Sequence, residues 1–358
     1  MKIFDAHLHS TKPFPVEKSI ENYKQYIKWT NTEKLAFLSL PCYNVYGQNI
    51  KNLFYKEVFS PNGYAFAGLE YHPYQSKKEL SEQFLAQVKL YSQVGYDGIK
   101  MLEGKPFYRK ELGYGLADDC YDKAFGYLEE KQIPIILHNA DPEENWDYDR
   151  LCEWGKTHNW FVGPDQPTKR EFYDEVIKVL KKHPRLRLTM AHFGFTSEKI
   201  EEAEEFLSYP NTMLDTTPGG EQFMHFLENE RAWKEFFVKY QDRIIYGTDT
   251  YNYYTDDEEE WYRAMTSRPN LVKDFFASNQ ESAYLGEPNF KFKGWDFPKA
   301  ITDKIFFGNA YREFGEPKPI DYLYMLEKLE ALKGCFADDS LDEQDRLYML
   351  NYVKNLKK

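Results

Sequence analysis

Short apolar runs alternate with amphipathic stretches along most of this chain. The runs are Ile3–His9, Leu35–Leu40, Tyr64–Leu69, Gly98–Leu102, Ile133–His138, Leu186–His192, Thr212–Thr216 and Arg243–Gly247. Between them apolar residues recur at helical spacing over Val16–Trp29, Lys78–Gln93, Asp118–Lys131, Lys169–His183, Ser197–Leu207 and Gln222–Tyr240, with a shorter stretch at Gln48–Phe59. Start and stop signals agree: Thr196-Ser197 precedes Glu198, Pro184 follows His183, and Gly95 follows the third helix. Strict β/α alternation implies parallel strands joined by right-handed crossovers. Eight such strands close a (β/α)8 TIM barrel. An open doubly wound sheet normally carries a Gly-rich turn after its first strand, and here that turn reads His7-Leu8-His9-Ser10-Thr11. The pattern therefore predicts an α/β chain with a barrel over residues 1–315. Glu316-Pro317-Lys318-Pro319 reads as a linker. Residues 316–358 then form an extension of two amphipathic helices, Ile320–Leu332 and Leu341–Leu356, packed outside the barrel.

Composition narrows the class. The formal net charge of −12 argues against a broad phosphate-binding surface, so nucleic acid is not the expected partner. No run approaches the roughly 18 apolar residues of a membrane span. The first residues enter a strand pattern without a signal-peptide core, so a cytoplasmic location is expected. Cys42, Cys120, Cys152 and Cys335 lack CxxC spacing, which indicates neither a disulfide framework nor a thiolate zinc site. Aromatic residues make up 18% of the chain, and most must be packing. The long connection Asn139–Thr168 carries Trp146, Trp154 and Trp160. It reads either as an aromatic lid over the barrel mouth or as a short helical excursion packed outside.

The chemistry collects at strand ends. His7 and His9 close the first run, His138 the fifth and His192 the sixth, and Asp249 follows the eighth. In a barrel these ends open onto one face, where active sites are built. Residues two apart on a strand share a side, so His7 and His9 can reach one ion together. Taken singly, a strand-end His is ordinarily a core residue and a terminal Asp ordinarily a helix cap. Five placements on one rim point instead to a divalent metal such as zinc. Lys100, in the fourth run, suits capture of a substrate carboxylate or stands solvated on the rim. His72, Asp215 and His225 are softer rim candidates, His72 as a substrate contact. Asp5 reads as support for the histidine pair. The run Asp256-Asp257-Glu258-Glu259-Glu260 reads as a helix N-terminus.

The motifs Asp5-Ala6-His7-Leu8-His9, Ile136-Leu137-His138, Met190-Ala191-His192-Phe193-Gly194 and Tyr246-Gly247-Thr248-Asp249 occur together. With Phe307–Gly315 as a closing signature, the sequence resembles the amidohydrolase superfamily, in its amidohydrolase-2 (ACMSD-like) branch. The resemblance implies that His7, His9, His138 and Asp249 ligate one catalytic metal per chain, with His192 close by. In binuclear members of the superfamily a carboxylated lysine bridges two metals at the place of Lys100. The expected activity is hydrolysis of a small amide, ester or lactone that carries a carboxylate, by metal-activated water. In that reading Asp249 moves the proton, and His192 donates to the oxygen on which charge develops. The family's range keeps a second expectation beside it, decarboxylation or hydration of a small carboxylic acid on the same site. The expected partner is a small-molecule substrate, and homo-oligomerisation stays open.

Overall fold

The computed structural model describes residues 1–10, 14–40, 46–71, 75–283, 290–334 and 341–356. Parallel strands β1 (Ile3–His9), β2 (Thr32–Leu38), β3 (Gly63–Gly68), β4 (Gly98–Gly104), β5 (Ile135–Asn139), β6 (Leu188–Met190), β7 (Thr212–Asp215) and β8 (Ile244–Ile245) pair in chain order. A two-residue strand, β9 (Thr250–Tyr251), continues β8 after a turn and pairs with β1. Together with a hydrogen bond from Ala6 N to Tyr246 O (3.1 Å), it closes the barrel. The expected architecture is the observed one.

Two cores result. Phe4, Ala6, Ala36, Leu38, Tyr64, Phe66, Ile136, Ala191, Met213 and Ile245 fill the barrel interior, small side chains facing large ones. Phe314, from the helix Asn309–Phe314 in the closing signature, plugs the bottom against Phe4 and Phe66. The second core lies between the strands and the surrounding helices. Those helices start where side chains satisfy their orphan N–H groups: Ser76 with Glu79 and Thr168 with Glu171 form capping boxes. Asp257 caps the helix Glu258–Ala277, in keeping with the acidic run.

Several boundaries depart from the sequence reading. The helical stretch expected at Gln222–Tyr240 breaks at Asn229 into Gln222–Glu228 and Glu230–Lys239. The sixth strand ends at Met190 rather than His192, because His192, Phe193, Gly194 and Phe195 all take left-handed backbone angles. The eighth likewise ends early, and Asp249 has a φ of 54°. The connection Asn139–Thr168 holds a 3-10 turn (Glu143–Trp146) and a helix (Glu153–Thr157). Helix Pro106–Leu112 and the hairpin of β10 (Glu281–Ala283) with β11 (Lys291–Lys293) lie outside the sequence expectation.

The last two helices, Tyr322–Ala331 and Glu343–Leu356, pack on the helices after β1 and β2. Asp345 accepts from Val16 N (2.6 Å), Tyr322 donates to Glu57 (2.7 Å), and Tyr352 meets the Phe54 ring. Among the described residues no helix is long and apolar enough to cross a membrane. The described cysteines, Cys120 and Cys152, are unpaired; Cys42, Cys335 and His72 lie outside the described residues.

Candidate metal centre

Alternation along β1 should put Phe4, Ala6 and Leu8 on one side and His7 and His9 on the other. The pairing register with β2 shifts between Asp5 and Leu8, and this changes the outcome. Below the shift Phe4 and Ala6 face the barrel interior; above it Leu8 joins the outer core while His7 and His9 turn inward. A bulge beside an active site commonly re-aims side chains in this way. Gly247 makes room: a Cβ there would stand 2.5 Å from Thr217 Oγ1 and 3.0 Å from the His7 Cβ.

Each imidazole is oriented from behind. His7 Nδ1 lies 2.9 Å from Asp215 Oδ2 and 3.1 Å from Thr217 Oγ1; His9 Nδ1 lies 2.9 Å from the Leu38 carbonyl. Both Nδ1 atoms therefore donate, and both Nε2 atoms present lone pairs. Those Nε2 atoms stand 3.1 Å apart, and Asp249 Oδ1 lies 3.7 Å from the first and 3.2 Å from the second. Three acceptor atoms pointed at one another repel unless a cation sits among them. The donor set of imidazoles and a carboxylate is that of zinc and its neighbours. Burial, reinforced by the nearby Lys100 and His9, holds His7 well below its ordinary pKa, so it is neutral as a ligand must be.

His192 joins this group. His7, His192 and Asp249 each offer a ligand atom within 4.8 Å of the others. The left-handed turn aims its ring inward, Asp215 Oδ1 accepts from its backbone N–H (2.8 Å), and a Cβ on Gly219 would stand 2.9 Å from its Nδ1. His138 sits ring against ring with His192, centroids 4.7 Å apart. Its Nε2 is turned onto Asp141 Oδ1 (3.2 Å), which also takes Lys105 Nζ (2.8 Å). Burial and the Lys105 charge lower His138 to about 4. The arrangement thus places His192 within reach of His7 and Asp249, while the Nε2 of His138, the expected ligand, meets Asp141.

Lys100 is only 1% exposed, which removes the solvated-rim reading. Its Nζ lies 3.4 Å from His7 Nε2, and burial lowers its pKa to about 8, so at neutral pH the amine is mostly charged. Asp5 holds the β1 backbone and two neighbouring hydroxyls: it accepts from His7 N (3.1 Å), Thr248 Oγ1 (2.7 Å) and the Tyr26 hydroxyl. His225 stands apart from the cluster, 3.5 Å from Glu144 and 3.7 Å from Glu198, with Arg150 bridging both carboxylates. This ion group ties the 3-10 turn after β5 to the segments that follow β6 and β7.

The sequence reading missed Arg268 and undervalued Asp215. Arg268 lies inside the helix Glu258–Ala277 and donates to both the backbone carbonyl and Oδ2 of Asp249 (2.5 Å to Oδ2). Burial pushes Asp249 upward, but Arg268 and His9 outweigh it and hold the carboxyl well below the usual range. No local pattern marks an arginine in mid-helix. Asp215 did carry a signal, a carboxylate on the same strand-end rim as the histidines.

The cluster forms the floor of a cavity of about 710 Å³, within the range of small-molecule sites. Its lining carries Lys100 and the pairs Lys105–Asp141 and Arg268–Asp249, with Glu221 beside them; Phe107, Tyr108, Trp154, Trp160, Phe195 and Tyr251 supply aromatic wall.

Among solved structures, the chain is similar to 4-oxalomesaconate hydratase from Rhodopseudomonas palustris, at 14% identity and a TM-score of 0.53, covering 93% of this chain and 98% of that one. It is also similar to an uncharacterised TIM-barrel protein from Bordetella bronchiseptica (14%, 0.52, covering 87% and 98%). A third is 2,6-dihydroxybenzoate decarboxylase bound to 2,6-dihydroxybenzoate (14%, 0.50, covering 87% and 98%). At such identities these likenesses speak for the fold alone. No curated protein matches. The family model described as Amidohydrolase matches residues 76–315, from the helix before β4 to the closing Gly315 and including His138, His192 and Asp249. The chain is therefore a member of the amidohydrolase-2 family and an enzyme of that family.

Proposed function

We propose that this enzyme is a metal-dependent hydrolase of a small amide, ester or lactone that bears a carboxylate. The observation that carries the reading is the convergence of His7 Nε2, His9 Nε2 and Asp249 Oδ1 within 3.7 Å on the floor of a cavity lined by Lys100, Lys105 and Arg268. One divalent ion, zinc in this reading, is held by His7, His9 and Asp249 with His192 as the nearest further ligand. Such an ion supplies Lewis acidity and a nucleophilic water near neutral pH. The remaining work falls to the chain. The charged Lys100 amine, buried beside the cluster, fixes the substrate carboxylate. His138, backed by Asp141 and Lys105, faces the reacting group, and its lowered pKa keeps it a neutral hydrogen-bonding partner. Asp249, with Oδ1 toward the ion and Oδ2 held by Arg268, is the carboxylate beside that water and the group that moves a proton toward the leaving group.

A second reading rests on Arg268. Its grip on Asp249 Oδ2 makes that carboxylate a weak base, which suits cleavage without a carboxylate proton shuttle. Decarboxylation or hydration of a small acid, the reactions named for two of the similar structures, would then use the same floor. Turnover in oxygen-18 water separates the two. Hydrolysis places label in a new carboxylate, on one of two fragments for an amide or ester and on the opened chain for a lactone; release of carbon dioxide without incorporation establishes the decarboxylase, and label in a new hydroxyl of a single product the hydratase.

A further inference from the structure

Seven tryptophans are present, and among the described residues only Trp154 and Trp160 are exposed, at 61% and 45%. Both line the mouth of the cavity, together with Phe107, which is 59% exposed. Among the described residues these are the most exposed tryptophan and phenylalanine rings, and all three line one cavity. Exposed apolar surface gathered beside a site, rather than scattered, marks a binding surface. The rings are also held. Trp154 stacks on His158 with centroids 3.8 Å apart and planes at 20°. Trp160 N donates to Gly155 O (2.9 Å), and Val162 N to Asn145 O (2.7 Å), which anchors the segment to the 3-10 turn. The Glu144–Arg150–Glu198–His225 ion group then ties that turn to the neighbouring loops. A segment so anchored loses little backbone freedom on binding, and the Trp154 ring, backed by His158, is pre-organised.

We propose that Trp154, Trp160 and Phe107 form a stacking subsite, so that the substrate has two parts: a carboxylate-bearing reactive end at the floor and a planar aromatic ring system at the mouth. The inference rests on the proposed carboxylate reading for the floor, and the mouth subsite is its own claim. Charge and surface both fit. The buried Lys100 amine complements an anionic end, Lys105 and Arg268 being engaged by Asp141 and Asp249, while the flat mouth rings complement a flat apolar one. A cavity of about 710 Å³ also exceeds what a short-chain acid fills.

The test uses metal-loaded protein and three probes: 2-naphthoate, which has both parts; succinate, which has only carboxylates; and 2-naphthol, which has only the ring. Binding is read by calorimetry and by quenching of tryptophan emission. The proposal expects 2-naphthoate to bind most tightly and to quench. In the W154A/W160A variant its affinity should fall about tenfold, the scale of one or two aromatic pairs. Succinate binding should be unchanged in that variant. Trp154→Leu, which keeps apolar area without the stacking face, should lose part of the affinity and retain the fold. Unchanged 2-naphthoate affinity in W154A/W160A, or displacement of the probe by methyl β-glucoside, overturns the subsite. Ring-dependent binding of 2-naphthol with no response to succinate leaves the subsite standing and overturns the carboxylate reading instead.

Discussion

Asp215→Asn isolates one hydrogen bond behind the metal centre. Asp215 Oδ1 accepts two backbone donors, His192 N at 2.8 Å and Thr217 N at 3.1 Å, while Oδ2 is the nearer partner of His7 Nδ1, at 2.9 Å against 3.1 Å for Thr217 Oγ1. In the asparagine variant the two backbone donors fix the amide oxygen on their side. The amide NH2 must then face His7 Nδ1, where a donor now opposes a donor. His7 escapes by moving its proton to Nε2, the atom that points at His9 and Asp249. A protonated Nε2 has no lone pair for a metal. Losing such an orienting partner ordinarily costs 10–100-fold in metal affinity, or about 1.4–2.8 kcal/mol. The fold should tolerate the change, because both backbone bonds persist and a carboxyl whose ionisation burial disfavours is gone. Asp215→Ala differs: it leaves His192 N and Thr217 N without an acceptor, at about 1–3 kcal/mol for each buried group. Zinc affinity by chelator competition, paired with thermal melting, separates the variants. Wild-type zinc affinity in Asp215→Asn would refute this account of how His7 is held.

Three further outcomes follow from the geometry. His192→Ala should weaken metal binding more than His138→Ala, since His192 offers a ligand atom within 4.8 Å of His7 and Asp249 while His138 Nε2 is engaged by Asp141; the reverse order in a metal titration would exchange their roles. Glu103 is fully buried, and burial raises its pKa from 4.5 to about 7. Its folded form thus holds a proton that the unfolded chain has lost, and its contribution to stability, complete below pH 4.5, disappears as pH rises through about 7. Glu103→Gln should match wild type near pH 4.5 and exceed it by roughly 3 kcal/mol at pH 8; a pH-independent difference in melts would refute the shift. Lys56 Nζ lies 2.8 Å from Asp97, both nearly inaccessible, and Asp97 also accepts Lys318 N from the segment leading to the last two helices. Lys56→Met should cost about 3–5 kcal/mol by leaving a buried carboxylate uncompensated, and a melt within 1 kcal/mol of wild type would contradict it.

The barrel was legible because its signal is periodic. Runs such as Ile133–His138 and helices such as Lys169–His183 repeat over enough residues to fix type and order, and His7 with His9 shows on the strand where alternation joins them. The rest depends on departures from regular geometry. No sequence rule placed the register shift that turns His7 inward after Ala6, or the left-handed run that lifts His192 off the strand and into the cavity. Arg268 reaches Asp249 only because a long helix after the last strand folds back over the mouth. Lys105 and Asp141 are 36 positions apart and meet through the loops after β4 and β5. Of the two readings of the segment 139–168, a helix is present, but it carries Trp154 to the cavity lining instead of packing outside.

The central claim is that His7, His9 and Asp249 converge in order to hold a divalent ion. X-ray absorption on purified protein reconstituted with zinc, with metal counted on the same sample, tests it most directly. The account predicts about one zinc per chain, bound by nitrogen and oxygen at roughly 2.0–2.2 Å, with most of it lost in the H7A/H9A double variant. Stoichiometric zinc retained in that variant, or sulfur in the zinc coordination shell of the wild type, would contradict it.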